Sequence, residues 1–137
     1  RCRCQWGRHG HVAIGQGVEP GASENHVTER QQPLAIGEPD KLQWLDLGGN
    51  QISDISALAR LTKLEFLNLS STQVSDLSPL AKLSNLEWLI LDDTKVNNVT
   101  PLESLTRLEK LYIRDAAVTN EQISKLQIAL PNCLIWH

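Results

Sequence analysis

The sequence predicts an α/β chain wound as a repeating solenoid, with one short strand of a parallel sheet in each turn. Three observations predict it. Leu42, Leu64, Leu86 and Leu108 stand 22 residues apart, and so do Leu45, Leu67, Leu89 and Leu111. Each unit then closes its opening run with alternation, Leu45-x-Leu47, Leu67-x-Leu69, Leu89-x-Leu91 and Leu111-x-Ile113. Without a gap, segments 42–63 and 64–85 agree at 10 of 22 positions, and 64–85 and 86–107 agree at 9, which chance does not give. A fixed period of this length is the mark of stacked units that share one core.

The elements follow from the spacing. Alternation sends the last two leucines of each run to one side of a strand, and units running the same way pair as a parallel sheet. The residues left in each unit are too few for a conventional crossover helix, so the return arm is a 3₁₀ or very short helical turn. Ser56, Ser78 and Thr100 stand at its expected N-cap, Pro79 and Pro101 follow where a missing N–H costs nothing, and Glu103 completes a capping box with Thr100. Ile52, Val74, Val96 and Val118 and then Leu58, Leu80 and Leu102 add to the interior. The units are 42–63, 64–85, 86–107 and 108–129.

Both ends depart from the period. Thr119-x-x-Gln122 reads as a capping box that opens a true helix to about Leu130, with Ile123, Leu126 and Leu130 on one face and Pro131-Asn132 as its stop. Leu130 lies 22 after Leu108, which puts Cys133 and Ile135 inward on a fifth strand; 119–137 is the C-terminal cap. Residues 1–40 hold six of the eight glycines, three of the four histidines, two of the three cysteines and a single leucine, Leu34. They lack apolar periodicity, so 1–32 is expected to be a flexible or poorly structured tail ahead of a repeat domain over 33–137. With no neighbour expected before Leu42, the first strand offers an edge for self-association.

The run Leu42-Gln-Trp-Leu-Asp-Leu-Gly-Gly-Asn50-Gln-Ile-Ser-Asp-Ile and its two successors resemble leucine-rich repeats, closest to the 22-residue class of internalins and phosphatase regulatory subunits. The ending Leu-Pro-Asn-Cys-Leu-Ile over 130–135 is similar to endings of bacterial repeat proteins of this type. The resemblance implies a right-handed solenoid with a concave parallel sheet, convex 3₁₀ or short helical arms, and a role in binding other proteins. The motif's Asn stands only at Asn50, replaced by Thr72, Thr94 and Ala116. A threonine hydroxyl still bonds a turn and alanine does not, so the corner ladder weakens toward the C-terminus.

On such a sheet the outward positions form three columns. The first is Trp44, Phe66, Trp88, Lys110 and Asn132; the second is Asp46, Asn68, Ile90, Tyr112 and Leu134; the third is Gly48, Ser70, Asp92, Arg114 and Trp136. Five of the six aromatic residues of the chain fall there. Such rings bury much area at low entropy cost, which suggests a partner-binding ridge. Against it stands cross-strand stabilisation of the sheet, or cover by the tail. The expected binding residues are Trp44, Phe66, Trp88, Ile90 and Tyr112, with Asp46, Asn68, Asp92, Lys110 and Arg114. A carbohydrate is a lesser candidate for the same ridge. Lys41, Lys63 and Arg107, set before Glu65, Glu87 and Glu109, are expected to form a solvated rim.

Other chemistries find little in the residues. A net charge of −3 gives no general grip on nucleic acid, and no apolar run is long enough to span a membrane. Neither a signal peptide nor an initiating methionine is evident, as expected of a processed or excised piece or of an imperfect reading frame. Three cysteines are too few for a disulfide scaffold, which fits the cytoplasm as well as an excised extracellular piece. Cys2-x-Cys4 and His9-x-His11 carry metal-competent groups, but with tighter cysteine spacing than structural zinc uses. The repeats hold no histidine base, Cys133 has no histidine partner, Asp92 and Asp93 point to opposite sides, and Gly48-Gly49 lacks the helix and lysine of a phosphate loop. The expectation is a non-catalytic module without cofactor or metal that binds a protein or peptide on its concave face; the alternative is a structural segment of a longer protein.

Overall fold

The computed structural model describes residues 41–137 and, ahead of them, the backbone of Cys2–Trp6 and His11–Gln16. One sheet runs in chain order through β1 (Cys2–Trp6), β2 (His11–Gln16), β3 (Trp44–Asp46), β4 (Phe66–Asn68), β5 (Trp88–Ile90), β6 (Lys110–Tyr112) and β7 (Leu134–Trp136). From β2 onward each strand pairs parallel with the next, and β1 turns back antiparallel on β2. In the repeats the strand is three residues long because only its middle residue must point inward. Leu45, Leu67, Leu89 and Leu111 are fully buried there, and their neighbours stand on the opposite pleat.

Between strands the chain returns through the 3₁₀ turns Ser56–Arg60, Ser78–Lys82 and Thr100–Ser104. Their apolar residues join the leucines of the strand approach in one continuous interior from Leu42 to Cys133. That interior is longitudinal: each leucine packs against its equivalents one unit before and after, as a stacked architecture requires.

The caps differ from expectation. Ser56, Ser78 and Thr100 are the first residues of their turns, and their hydroxyls cap nothing. The carboxylate of Asp54 instead accepts from the Ser56 N–H and hydroxyl, Asp76 does the same for Ser78, and the Asn98 side-chain carbonyl accepts from the Thr100 N–H. A short acidic or amide side chain two residues upstream reaches the exposed N–H without needing the helical geometry that a capping box requires. The box expected between Thr100 and Glu103 is accordingly absent. The one at Thr119 forms in full: its hydroxyl accepts from the Gln122 N–H, and the Gln122 side chain accepts from the Thr119 N–H. There the arm becomes a true helix, α1 (Asn120–Ala129), with Ile123 and Leu126 buried.

The corner after each strand is left-handed at the same offset: Gly49 at φ 72°, Ser71 and Asp93 at 53°, Asp115 at 57°. Next to it the expected ladder forms. The Asn50 amide donates to the Leu47 and Gly48 carbonyls, and the Thr72 and Thr94 hydroxyls donate to those of Leu69 and Leu91. Half-buried Ala116 has no side-chain donor to continue it.

Two strands, β1 and β2, fall within the segment expected to be a flexible tail; the other residues of 1–32 lie outside the described residues. The edge of β3 expected to be open is therefore paired, with Val12 opposite Leu45. Strand pairing satisfies backbone donors and acceptors whatever the side chains are, so it needs no long apolar pattern in the added strand.

Candidate concave interaction surface

The outward positions of β3 to β6 line up in register, Trp44 beside Phe66, Phe66 beside Trp88, and Trp88 beside Lys110. Parallel pairing sets this spacing, and the rings respond to it. Trp44 and Phe66 stack with centroids 3.8 Å apart and planes 11° from parallel, and Trp88 lies tilted against Phe66 at 6.2 Å. The Lys110 ammonium covers the Trp88 ring, 3.6 Å from its centroid. Trp44 and Trp88 keep 40% and 38% of their surface exposed, whereas Phe66 keeps 8%. Phe66 is covered by the flanking rings and is no part of the interior cluster, since Leu67 beside it already points inward.

The second column changes character along the sheet. At its start the Asp46 carboxylate accepts from the Gly48 N–H and from the Asn68 amide, while the Asn68 carbonyl accepts from the Ser70 N–H. A side chain at Gly48 would collide with Asn68 and Ser70, 2.9–3.0 Å from where its Cβ would be, so the small residue there keeps this polar row in place. Ile90 and Tyr112 follow, both half-buried. In the third column, Asp92 accepts from the Arg114 N–H at 2.8 Å and from its guanidinium at 2.7 and 3.2 Å, which raises the guanidinium pKa further. Asp93 occupies the left-handed corner and takes no part in this pair.

One strand sits out of the expected register. β7 pairs Leu134 with Lys110 and Trp136 with Tyr112, 24 residues on instead of 22. The expected columns ending in Asn132, Leu134 and Trp136 are thereby corrected: Leu134 ends the first and Trp136 the second. The ten-residue α1 is longer than a 3₁₀ turn and delays the strand by two residues, an even number, so Ile135 still points inward and Cys133 is buried. The shift stacks Trp136 on Tyr112 at 4.4 Å and 8°, a second aromatic pair that sequence spacing alone had separated. The length of the helix announced by Thr119 was the signal for it.

On the strand approach Arg107 reaches Glu87 at 3.1 Å and Asn85 at 3.0 Å, and Gln43 donates to Glu65. Of the expected rim, Arg107 and Glu87 form an ion pair, while Glu65 is met by Gln43. No group of three or more His, Cys, Asp or Glu side chains able to hold a metal occurs among the described residues, and no described helix is long and apolar enough to cross a membrane. Cys2, Cys4 and His11 lie on β1 and β2, and His9 lies outside the described residues. Burial pushes the Cys133 thiol up to about 11, a poor setting for a nucleophile.

The repeat period, the parallel sheet and the 3₁₀ arms together define this chain as a leucine-rich-repeat protein. A family model described as "Leucine Rich repeats (2 copies)" matches residues 40–82. Among solved structures, the chain is similar to a Leptospira interrogans leucine-rich-repeat protein (TM-score 0.66, 25% identity, 72% of this chain and 26% of that one). It is also similar to two Listeria monocytogenes internalins. The inlF structure gives a TM-score of 0.64 at 36% identity over 70% of this chain and 28% of that one; internalin C2 gives 0.54 at 28% over 72% and 52%. Its repeats are thus of the bacterial internalin-like kind, and the chain spans about a quarter of the length of the first two. No curated protein matches it.

Proposed function

We propose that this chain is a non-catalytic interaction module that holds a protein or peptide against the concave face of its sheet. Trp44, Phe66 and Trp88 form the apolar anchor, Ile90 and Tyr112 extend it, and Asp46, Asn68, Asp92, Lys110 and Arg114 provide its polar border. Leucine-rich repeats typically serve protein–protein interaction, and one observation carries the reading to this face. The interior is complete without the rings, yet two tryptophans stand in register on the outward pleat with more than a third of their surface open. Contiguous exposed aromatic side chains are the usual anchors of interaction surfaces.

A second reading has its own support. Because the chain spans about a quarter of two similar structures, it also suits a structural segment of a longer solenoid whose ligand surface lies elsewhere. Replacing Trp44 and Trp88 together with serine separates the two. Neither ring belongs to the interior, so the melting temperature should move by only a few degrees, while capture of partners from a protein extract should disappear. Undiminished capture by the folded double variant would favour the second reading.

A further inference from the structure

We infer that the partner segment meeting this face carries a carboxylate set between apolar side chains, and that the carboxylate seats on Lys110. The inference rests on the concave-face reading and adds the partner's chemistry to it.

Ring orientation comes first. Trp44 and Phe66 are nearly parallel and 3.8 Å apart across neighbouring strands, so their planes stand upright on the sheet and their edges meet the partner. Tyr112 and Trp136 stand the same way. The edge of an aromatic ring is the positive part of its quadrupole. Ligands that need a bare ring face, such as a sugar or a quaternary ammonium, find the facing sides of Trp44 and Phe66 pressed together and the Trp88 face taken by Lys110.

Charge comes second. Arg114 is tied to Asp92 by its backbone and its guanidinium, Glu87 is engaged by Arg107, and Asp46 already accepts two hydrogen bonds. Lys110 is different. It is half-buried on the Trp88 ring, and among the described residues no carboxylate lies within 4.0 Å of its ammonium. Glu109, next to it in sequence, is exposed and precedes β6, and it forms no ion pair with Lys110. The ring contact orients the ammonium without accepting any of its three N–H donors. The apolar band therefore contains one positive charge with donors to spare, seated on the Trp88 face and beside Leu134 of β7. Charge complementarity calls for a carboxylate there and disfavours a cationic partner.

The test is a random peptide display library selected on the wild-type chain. Enriched peptides should pair Asp or Glu with neighbouring Trp, Phe, Leu or Ile. A synthetic copy of an enriched peptide should lose at least about tenfold in affinity on Lys110→Glu, on Lys110→Gln, and when its own acid is changed to the amide. Thermal melts of both variants confirm that folding is retained, and Trp88→Ser reports on the surface as a whole. Enriched peptides that lack acids, or that lose affinity in Trp88→Ser but not in the Lys110 variants, would overturn the inference while leaving the concave-face reading standing. Affinity unchanged in all three variants would overturn both, and a library yielding no enriched peptide would overturn the inference.

Discussion

The middle repeats and the closing unit solve one problem, returning the chain to the start of the next strand, with different parts. In the middle repeats, Asp54, Asp76 and Asn98 hold short 3₁₀ turns, and successive strands come 22 residues apart. In the closing unit, the Thr119–Gln122 box starts a ten-residue helix, and the strand arrives after 24. A local choice of cap thus decides the kind of arm, and the arm decides which residue reaches which column. The even offset preserves which side chains face inward, so the interior tolerates the change while the outer face is rearranged.

The largest expected difference between the two regions lies in the interior. Leu89→Ala opens a cavity between two flanking units and should cost about 3 kcal/mol, whereas Ile135→Ala, half-buried with one neighbouring unit, should cost about 1 kcal/mol. Chemical denaturation of the two variants measures the contrast, and equal losses would mean that the closing unit is as deeply packed as the middle. The caps come next. Thr119→Ala should cost about 1 kcal/mol and loosen α1, seen as lost helical circular dichroism. Asp76 acts through charge. Its hydrogen bonds from Ser78 hold its carboxyl below the ordinary 3.8, and those of Ser56 do the same for Asp54. Their stabilisation is therefore complete above the ordinary value and is lost as pH falls through the depressed one. The melting temperature should stay level above about pH 5 and fall below about pH 4, less steeply in Asp54→Asn/Asp76→Asn. The smallest effect concerns the corner ladder. Ala116→Thr restores the hydroxyl that Thr72 and Thr94 use and should add about 0.5–1 kcal/mol, read as a slightly higher melting temperature.

Much of this was legible in sequence because a repeat tests each reading several times over. Leu45, Leu67, Leu89 and Leu111 point the same way for the same reason, so the parallel sheet, the inward set and the outward columns of β3 to β6 follow from spacing alone. What escaped was set by single contacts. Whether a hydroxyl at Ser78 or a carboxylate at Asp76 meets a turn's N–H depends on the backbone angles of one residue, which spacing does not encode. The strand β2 beside β3 depends on backbone pairing, to which Val12 and Ile14 add little pattern. Trp136 was misplaced because period was extrapolated through a helix that breaks it. Among the candidate binding residues, the columns located Trp44, Phe66, Trp88 and Lys110 correctly but said nothing of how the rings stand or which charge the lysine lacks.

The stacked outward side chains also act as a ruler. Their pitch is set by interstrand hydrogen bonding at about 4.8 Å, whatever residues occupy the rungs. A visitor laid across the rungs keeps step only if its own contacts recur at a similar interval. Successive turns of an α-helix, about 5.4 Å apart, stay nearly in phase over two or three rungs, whereas same-side residues of an extended strand, about 6.6 Å apart, slip out after one. If the proposed concave-face binding holds, this pitch would favour a helical partner segment over an extended one before any side chain is compared.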